Sequence, residues 1–166
     1  MTLADVPAGA SVFVDANPFV YAFAPEPTLG PPCFALLERI ARGEVDGFTS
    51  SLVLCDVAHR LMTLEACAAF GWPHAGIAHR LKRHPAEIKK LHRFRQALDQ
   101  IAESGVKVLP IDPQDVMLAG DLCIQHGLLS GDGLVAAVMQ RHGIALLASN
   151  DADFDGVAGI SRYAPV

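Results

Sequence analysis

Short extended runs alternate with longer helix-patterned stretches along this chain, and that alternation restricts the fold more than any other feature. SVFVD (11–15) reads as a buried strand with Asp15 at its C-terminal edge. Residues 45–48, VKVLPI (106–111) and IALLASND (144–151) read as the second, third and fourth strands, and 160–164 as a last short extended piece. Between them the pattern is helical. Asn17-Pro18 opens the first helix, because proline suits a first turn. APEPTLGPP (24–32) reads as a loop, and CFALLERIAR (33–42) as an amphipathic helix stopped by Gly43. Thr49, Ser50 and Ser51 are N-cap candidates for the long helix LVLCDVAHRLMTLEACAAF, which Gly71-Trp72-Pro73 breaks. Residues 74–103 are again helical, interrupted near His84-Pro85. Further helices follow from Pro113 to about His126, with Gly127 as C-cap, and within LLSGDGLVAAVMQRHG (128–143).

Strands that alternate with helices favour a parallel sheet covered on both faces. The expected fold is a three-layer α/β/α sandwich with a mostly parallel central sheet of four to five strands. No repeat, low-complexity tract or linker divides the chain, and 166 residues suffice for one domain over 1–166 with its own core. No apolar run approaches the roughly 20 residues of a membrane helix, and the N-terminus lacks the pattern of a secretory signal. A cytoplasmic protein is expected. The four cysteines form no CxxC pair and no zinc spacing with histidine, so they read as buried reduced thiols.

In parallel sheets, ligands bind outside the carboxyl ends of the strands, so the positions of the aspartates matter. Asp15 follows the first strand and Asp151 the fourth. Asp132 begins a helix after Ser130-Gly131, and Asp56 lies early in the long helix, on the face of Leu52 and Arg60 or His59. All four can converge at one end of the sheet. Grouped carboxylates repel one another and raise each other's pKa. A hard divalent cation relieves that repulsion and prefers oxygen ligands, which points to Mg²⁺ or Mn²⁺ and to hydrolysis of a phosphodiester. A single aspartate at such a position also has a plainer reading, and Asp132 in particular could simply cap its helix.

The strings around the four acids, FVDAN (13–17), TSSLVLCDVAHRL (49–61), LLSGDGLVAAVM (128–139) and LLASNDADF (146–154), resemble the PIN-domain family in order and over nearly the whole chain. Among PIN domains the chain looks most like the VapC-type toxins. The resemblance implies a Mg²⁺- or Mn²⁺-dependent endoribonuclease that cleaves RNA, forms a homodimer and is inhibited by a cognate antitoxin. It places Asp15, Asp56, Asp132 and Asp151 in the family's acidic slots. Asp56 departs from the more frequent Glu and is one methylene shorter. Ser149 replaces a common Thr and keeps the hydroxyl, and Asn17 fills a polar slot that orients a carboxylate or water. Asp153 matches the second acid of the family's D-x-D-F and is a further metal candidate. Asp155 reads as a solvated loop acid, and His59 as a packing or hydrogen-bonding residue rather than a ligand.

Seven of the chain's 13 cations and one of its 18 acids fall within residues 80–95, leaving an acidic body with a balance of −11. The segment reads either as a solvated amphipathic helix pair, with Ile88, Leu91, Phe94 and Leu98 on roughly one face, or as a phosphate-contacting wall in which Lys89, Lys90 and Arg93 grip substrate. A membrane-surface role is disfavoured by the interrupting His and Pro. Two functional classes remain open: a metal-dependent nuclease, or a non-catalytic or weakly catalytic RNA- or protein-binding module on the same fold. A haloacid-dehalogenase-type phosphatase wants D-x-D after its first strand, where this chain has Asp15-Ala16-Asn17. No P-loop and no GxSxG elbow is present.

Overall fold

The computed structural model describes residues 1–166. Five strands, β1 (Ser11–Val14), β2 (Asp46–Ser50), β3 (Lys107–Leu109), β4 (Leu146–Ala148) and β5 (Ser161–Tyr163), form one sheet in the order β3-β2-β1-β4-β5. Every pairing is parallel, so the expected mostly parallel sheet is wholly parallel. Val12, Phe13 and Val14 of the central strand are fully buried, as a strand covered on both faces requires.

Eight helices connect the strands: α1 (Ala16–Phe23), α2 (Gly30–Ala41), α3 (Ser51–Phe70), α4 (Ile77–Arg83), α5 (Pro85–Ile88), α6 (Arg93–Glu103), α7 (Pro113–His126) and α8 (Ser130–Arg141). α1 packs on α2 and α3, and α3 on α4 and α6, whereas α7 and α8 pack chiefly on each other. Arg141, at the end of α8, reaches Asp112 and the fully buried Asp115 of the α7 capping box (2.5 and 2.8 Å) and ties that pair together.

Local chemistry accounts for most boundaries. Ser50 is the cap of α3, its Oγ accepting from the Val53 amide at 3.3 Å. α2 begins three residues earlier than its pattern indicated. Pro31 and Pro32 fall in its first turn, where a missing amide hydrogen costs nothing, so they start the helix rather than prolong the loop. The basic segment is not one continuous helix: Pro85 starts a separate short turn and Leu91 is buried in the break between α5 and α6, yet Ile88, Leu91 and Phe94 still pack in one cluster. The amides of His92, Arg93 and Phe94 at the start of α6 donate to the carboxylate of Glu65 on α3, at 2.8–3.1 Å. The thiols also depart from expectation. Cys33 alone is buried, which pushes its thiol up to about 12, whereas Cys55 is exposed and Cys67 and Cys123 are half-buried.

Candidate metal centre

The strand order places the site. Successive connections run outward from β1 to β2 and β3, then return across the sheet to β4 and β5. β1 and β4 are therefore neighbours at the point where the order reverses, and a crevice opens beyond their carboxyl ends. Val14 pairs with Ala148, and the Asp15 amide donates to the Ala148 carbonyl at 3.1 Å. This register brings Asp15 and Ser149 together across more than 130 residues of chain.

A hydrogen-bonded network then fixes Asp15. Its Oδ2 accepts from Ser149 Oγ (2.8 Å) and from Asn17 Nδ2 (2.9 Å). Ser149 Oγ accepts in turn from Asn17 Nδ2 (3.2 Å) and from the Asp151 amide (3.0 Å), while Asn17 Oδ1 accepts from the Asn150 amide (2.7 Å). Thr49 Oγ1 donates to the Val14 carbonyl at 2.9 Å and ties the end of β2 to the same corner. Asp15 occupies the N-cap position of α1 but makes no side-chain cap bond. Both side-chain bonds fall on Oδ2.

Asp132 is not a cap either. Leu129 holds that position, and Asp132 is the third residue of α8, near its positive end. Carboxylate oxygens of Asp132, Asp151 and Asp153 all lie within 4.8 Å of one another. Asp151 Oδ1 accepts from the Asp153 amide at 3.0 Å, a local turn that holds the second acid beside the first. Burial, followed by the charges of Asp151, Asp15 and Asp153, pushes the Asp132 carboxyl up to about 6. Burial also raises Asp15, partly countered by the Ser149 hydrogen bond and by the positive charge of Arg60. Neighbouring oxygen donors that hold each other's pKa up match what a hard divalent cation needs.

The remaining candidates are arranged less evenly. Asp56 lines the same cleft, of about 220 Å³, as Asp15 and Asp132. It stands outside the close trio, however, with its side chain half exposed and 3.7 Å from Arg60. His59 is exposed and lines a different cleft. Asp155 forms a two-pronged ion pair with Arg162, as befits a surface acid. The basic residues lie toward the other end of α3. Arg93 is held at Glu65, nine positions or roughly 14 Å along the helix axis from Asp56. Lys90 pairs with Glu87 at 2.8 Å, and Lys89 is exposed. Two cations stand by the acids: Arg60, one helical turn from Asp56, acts electrostatically on Asp15, and Arg162, whose guanidinium donates to the Ser149 carbonyl at 3.3 Å, acts on Asp151. The sequence marked Arg60 only as a helix-face neighbour and did not single out Arg162.

The comparisons bear on the family and the fold. A PIN-domain family profile matches residues 12–160. A VapC ribonuclease of Mycobacterium bovis and ribonuclease VapC13 of Mycobacterium tuberculosis are each 40% identical over 78 residues, 46% of this chain and 60% of the relative. The chain thus spans 60% of the length of these curated relatives. Among solved structures, VapBC2 from Rickettsia felis bound to a promoter DNA fragment aligns with TM-score 0.60 and 18% identity, covering 93% of this chain and 98% of that one. VapC20 of Mycobacterium tuberculosis, a sarcin-ricin loop cleaving toxin, aligns with TM-score 0.60 and 16% identity over 87% and 92%. At such identities the likeness is one of fold.

Proposed function

The chain belongs to the PIN-domain family, and from that premise we propose that it is a Mg²⁺- or Mn²⁺-dependent endoribonuclease acting as the toxin of a type II toxin–antitoxin pair. The observation that carries this reading is the convergence of Asp132, Asp151 and Asp153 beside the anchored Asp15. In this reading residues 1–166 are one nuclease domain. Asp15, Asp132, Asp151 and Asp153 would hold the cation, with Asp56 lining the same cleft. A bound divalent cation lowers the pKa of water and neutralises charge on the phosphate. The chain's own residues do the positioning. Asn17 and Ser149 fix the Asp15 carboxylate, and Asp56, lining the same cleft, would accept a hydrogen bond from a water bound there. Lys89, Lys90 and Arg93 supply a more distant phosphate-attracting surface.

The ribonuclease names of the two mycobacterial relatives support RNA as substrate, and the toxin–antitoxin complexes among the structural neighbours support an antitoxin partner. A homodimer is supported by an apolar face on and beside α7, where Val116, Met117, Ile124 and Leu129 are exposed. A cytoplasmic location follows from the proposed RNA target, and no single helix is long and apolar enough to cross a membrane.

A second reading, a weakly catalytic or non-catalytic binding module, is favoured by one observation: Asp56 lies outside the close trio, half exposed and 3.7 Å from Arg60. RNA cleavage with and without Mn²⁺ or Mg²⁺, in wild type and Asp15→Asn, separates the two. The nuclease reading expects metal-dependent cleavage that falls by about 10²-fold or more in the variant. Metal-independent cleavage or an undiminished variant would sink it, and metal-independent RNA binding without cleavage would establish the second.

A further inference from the structure

A second cleft, of about 700 Å³, opens between α1, α3 and α4. Its walls are largely small apolar side chains, and Tyr21, His59, Arg60 and His74 bring an aromatic ring, two imidazoles and a guanidinium to it. Its volume lies within the roughly 300–1,000 Å³ of small-molecule sites. Two side chains connect it to the acidic crevice. Arg60 lines this cleft while standing 3.7 Å from Asp56 and acting electrostatically on Asp15. Tyr21 Oη accepts from Asn150 Nδ2 at 3.3 Å, and the Asn150 amide donates to Asn17, the residue that holds Asp15. The surface is therefore continuous from the anchored carboxylate to the cleft.

The charges suit an anion entering from that side. Arg60 is part-exposed, and its only ion pair is longer than a hydrogen bond. Glu26, the one carboxylate lining the cleft, is turned into its own loop, where it accepts from the Thr28 and Leu29 amides at 3.1 and 3.4 Å. Single-stranded RNA is recognised by unstacked bases laid on aromatic, histidine or arginine planes, with phosphates held by cations. We propose that this cleft is a nucleotide subsite, which receives one unpaired base of the RNA strand next to the scissile phosphate. Arg60 contacts the linking phosphate, and Tyr21 and His74 flank the base. The subsite rests on the ribonuclease reading and sets which sequence is presented to the acids.

The test is binding of fluorescent oligoadenylate and oligouridylate hexamers in EDTA, where no metal-dependent cleavage intervenes, as a function of salt. His74→Ala removes an exposed ring, and Ala78→Trp fills the cleft from its exposed α4 wall. Each should weaken binding about tenfold and reduce the difference between the two hexamers. Arg60→Gln should weaken both hexamers alike and lower the salt slope by about one. Thermal melting checks that the variants remain folded, and the His74 change touches no core contact. If wild type binds and cleaves RNA while all three variants bind like it, the subsite is overturned and the nuclease reading stands. If wild type neither binds nor cleaves RNA, both fall. If Ala78→Trp keeps full RNA affinity but loses a co-expressed antitoxin, the cleft is a peptide groove and the proposal is overturned.

Discussion

Asp132 carries the sharpest electrostatic consequence at the residue scale. Its carboxyl is raised to about 6 by burial and by three neighbouring acids. Between the ordinary carboxylate range and pH 6 the folded, metal-free protein holds a proton that the unfolded chain has released, so this group makes stability fall as pH rises through that window. Asp132→Asn should therefore stabilise the metal-free protein at pH 7.5, by on the order of 1 kcal/mol after solvent screening, and leave it unchanged at pH 4. The same variant should lose most of the rise in melting temperature that Mn²⁺ produces in wild type. Thermal melts from pH 4 to 8, in EDTA and in Mn²⁺, read both effects, and an Asn variant that gains nothing at pH 7.5 would contradict them. Asp56 makes a graded comparison. Because it lies outside the trio, Asp56→Ala should cost less cleavage than Asp15→Asn, about tenfold against 10²-fold or more. Asp56→Glu, longer by one methylene, should match or exceed wild type; a Glu variant weaker than the Ala variant would show that the short side chain is needed.

At the scale of elements, the crossing of α7 and α8 sets where Asp132 points. Gly133 lies at that crossing, and a Cβ there would stand 2.4 Å from Cys123 Sγ and 2.9 Å from the Ala119 carbonyl. The sulfur can rotate away, but the backbone oxygen cannot. Gly133→Ala should destabilise by about 1–3 kcal/mol through overpacking and reduce metal affinity, because Asp132 is the preceding residue. Chemical denaturation and Mn²⁺ titration measure the pair, and a Gly133→Ala protein of wild-type stability would show that the helices separate at no cost. A similar dependence holds α6 to α3. The Glu65 carboxylate, though penalised by partial burial, is held below its ordinary value by the amides of Arg93, His92 and Phe94. Its contribution is fully present above the usual glutamate range and is lost as pH falls through the lowered value. Glu65→Ala should cost about 0.5–2 kcal/mol at pH 7, as for the loss of a helix cap, and progressively less toward pH 3. A penalty that does not change with pH would argue against this role.

Across the whole molecule, the charge and the apolar surface are segregated. The basic segment packs as its own small cluster on the far half of α3, through Ala66, Ile77, Leu81 and Leu91. The exposed apolar face of α7 includes Met117 and Ile124, 74% and 89% exposed, which a solitary chain leaves in water at a cost in solubility. If that face joins two copies, Met117→Asp together with Ile124→Asp should convert a dimer into a monomer in sedimentation, leaving the melting temperature of the dilute protein nearly unchanged. Wild type that sediments as a monomer at tens of micromolar would reject the homodimer.

The sequence alone determined the alternation of strands and helices, most helix limits and the placement of Asp15 and Asp151 beyond strand ends. These features depend on local period, on Pro and Gly, and on caps such as Ser50, all written within a few neighbouring residues. Convergence was decided by the tertiary structure. The adjacency of β1 and β4 joins Ser149 to Asp15, and the turn after β4 swings Asp153 into the trio while Asp56 remains outside it. The capping alternative for Asp132, the broken path of the basic segment and the position of Arg60 between two clefts depend likewise on helix packing. No one-dimensional pattern carries them, because a side chain's partners across a sheet are set by strand order and register, and both form only when distant segments meet.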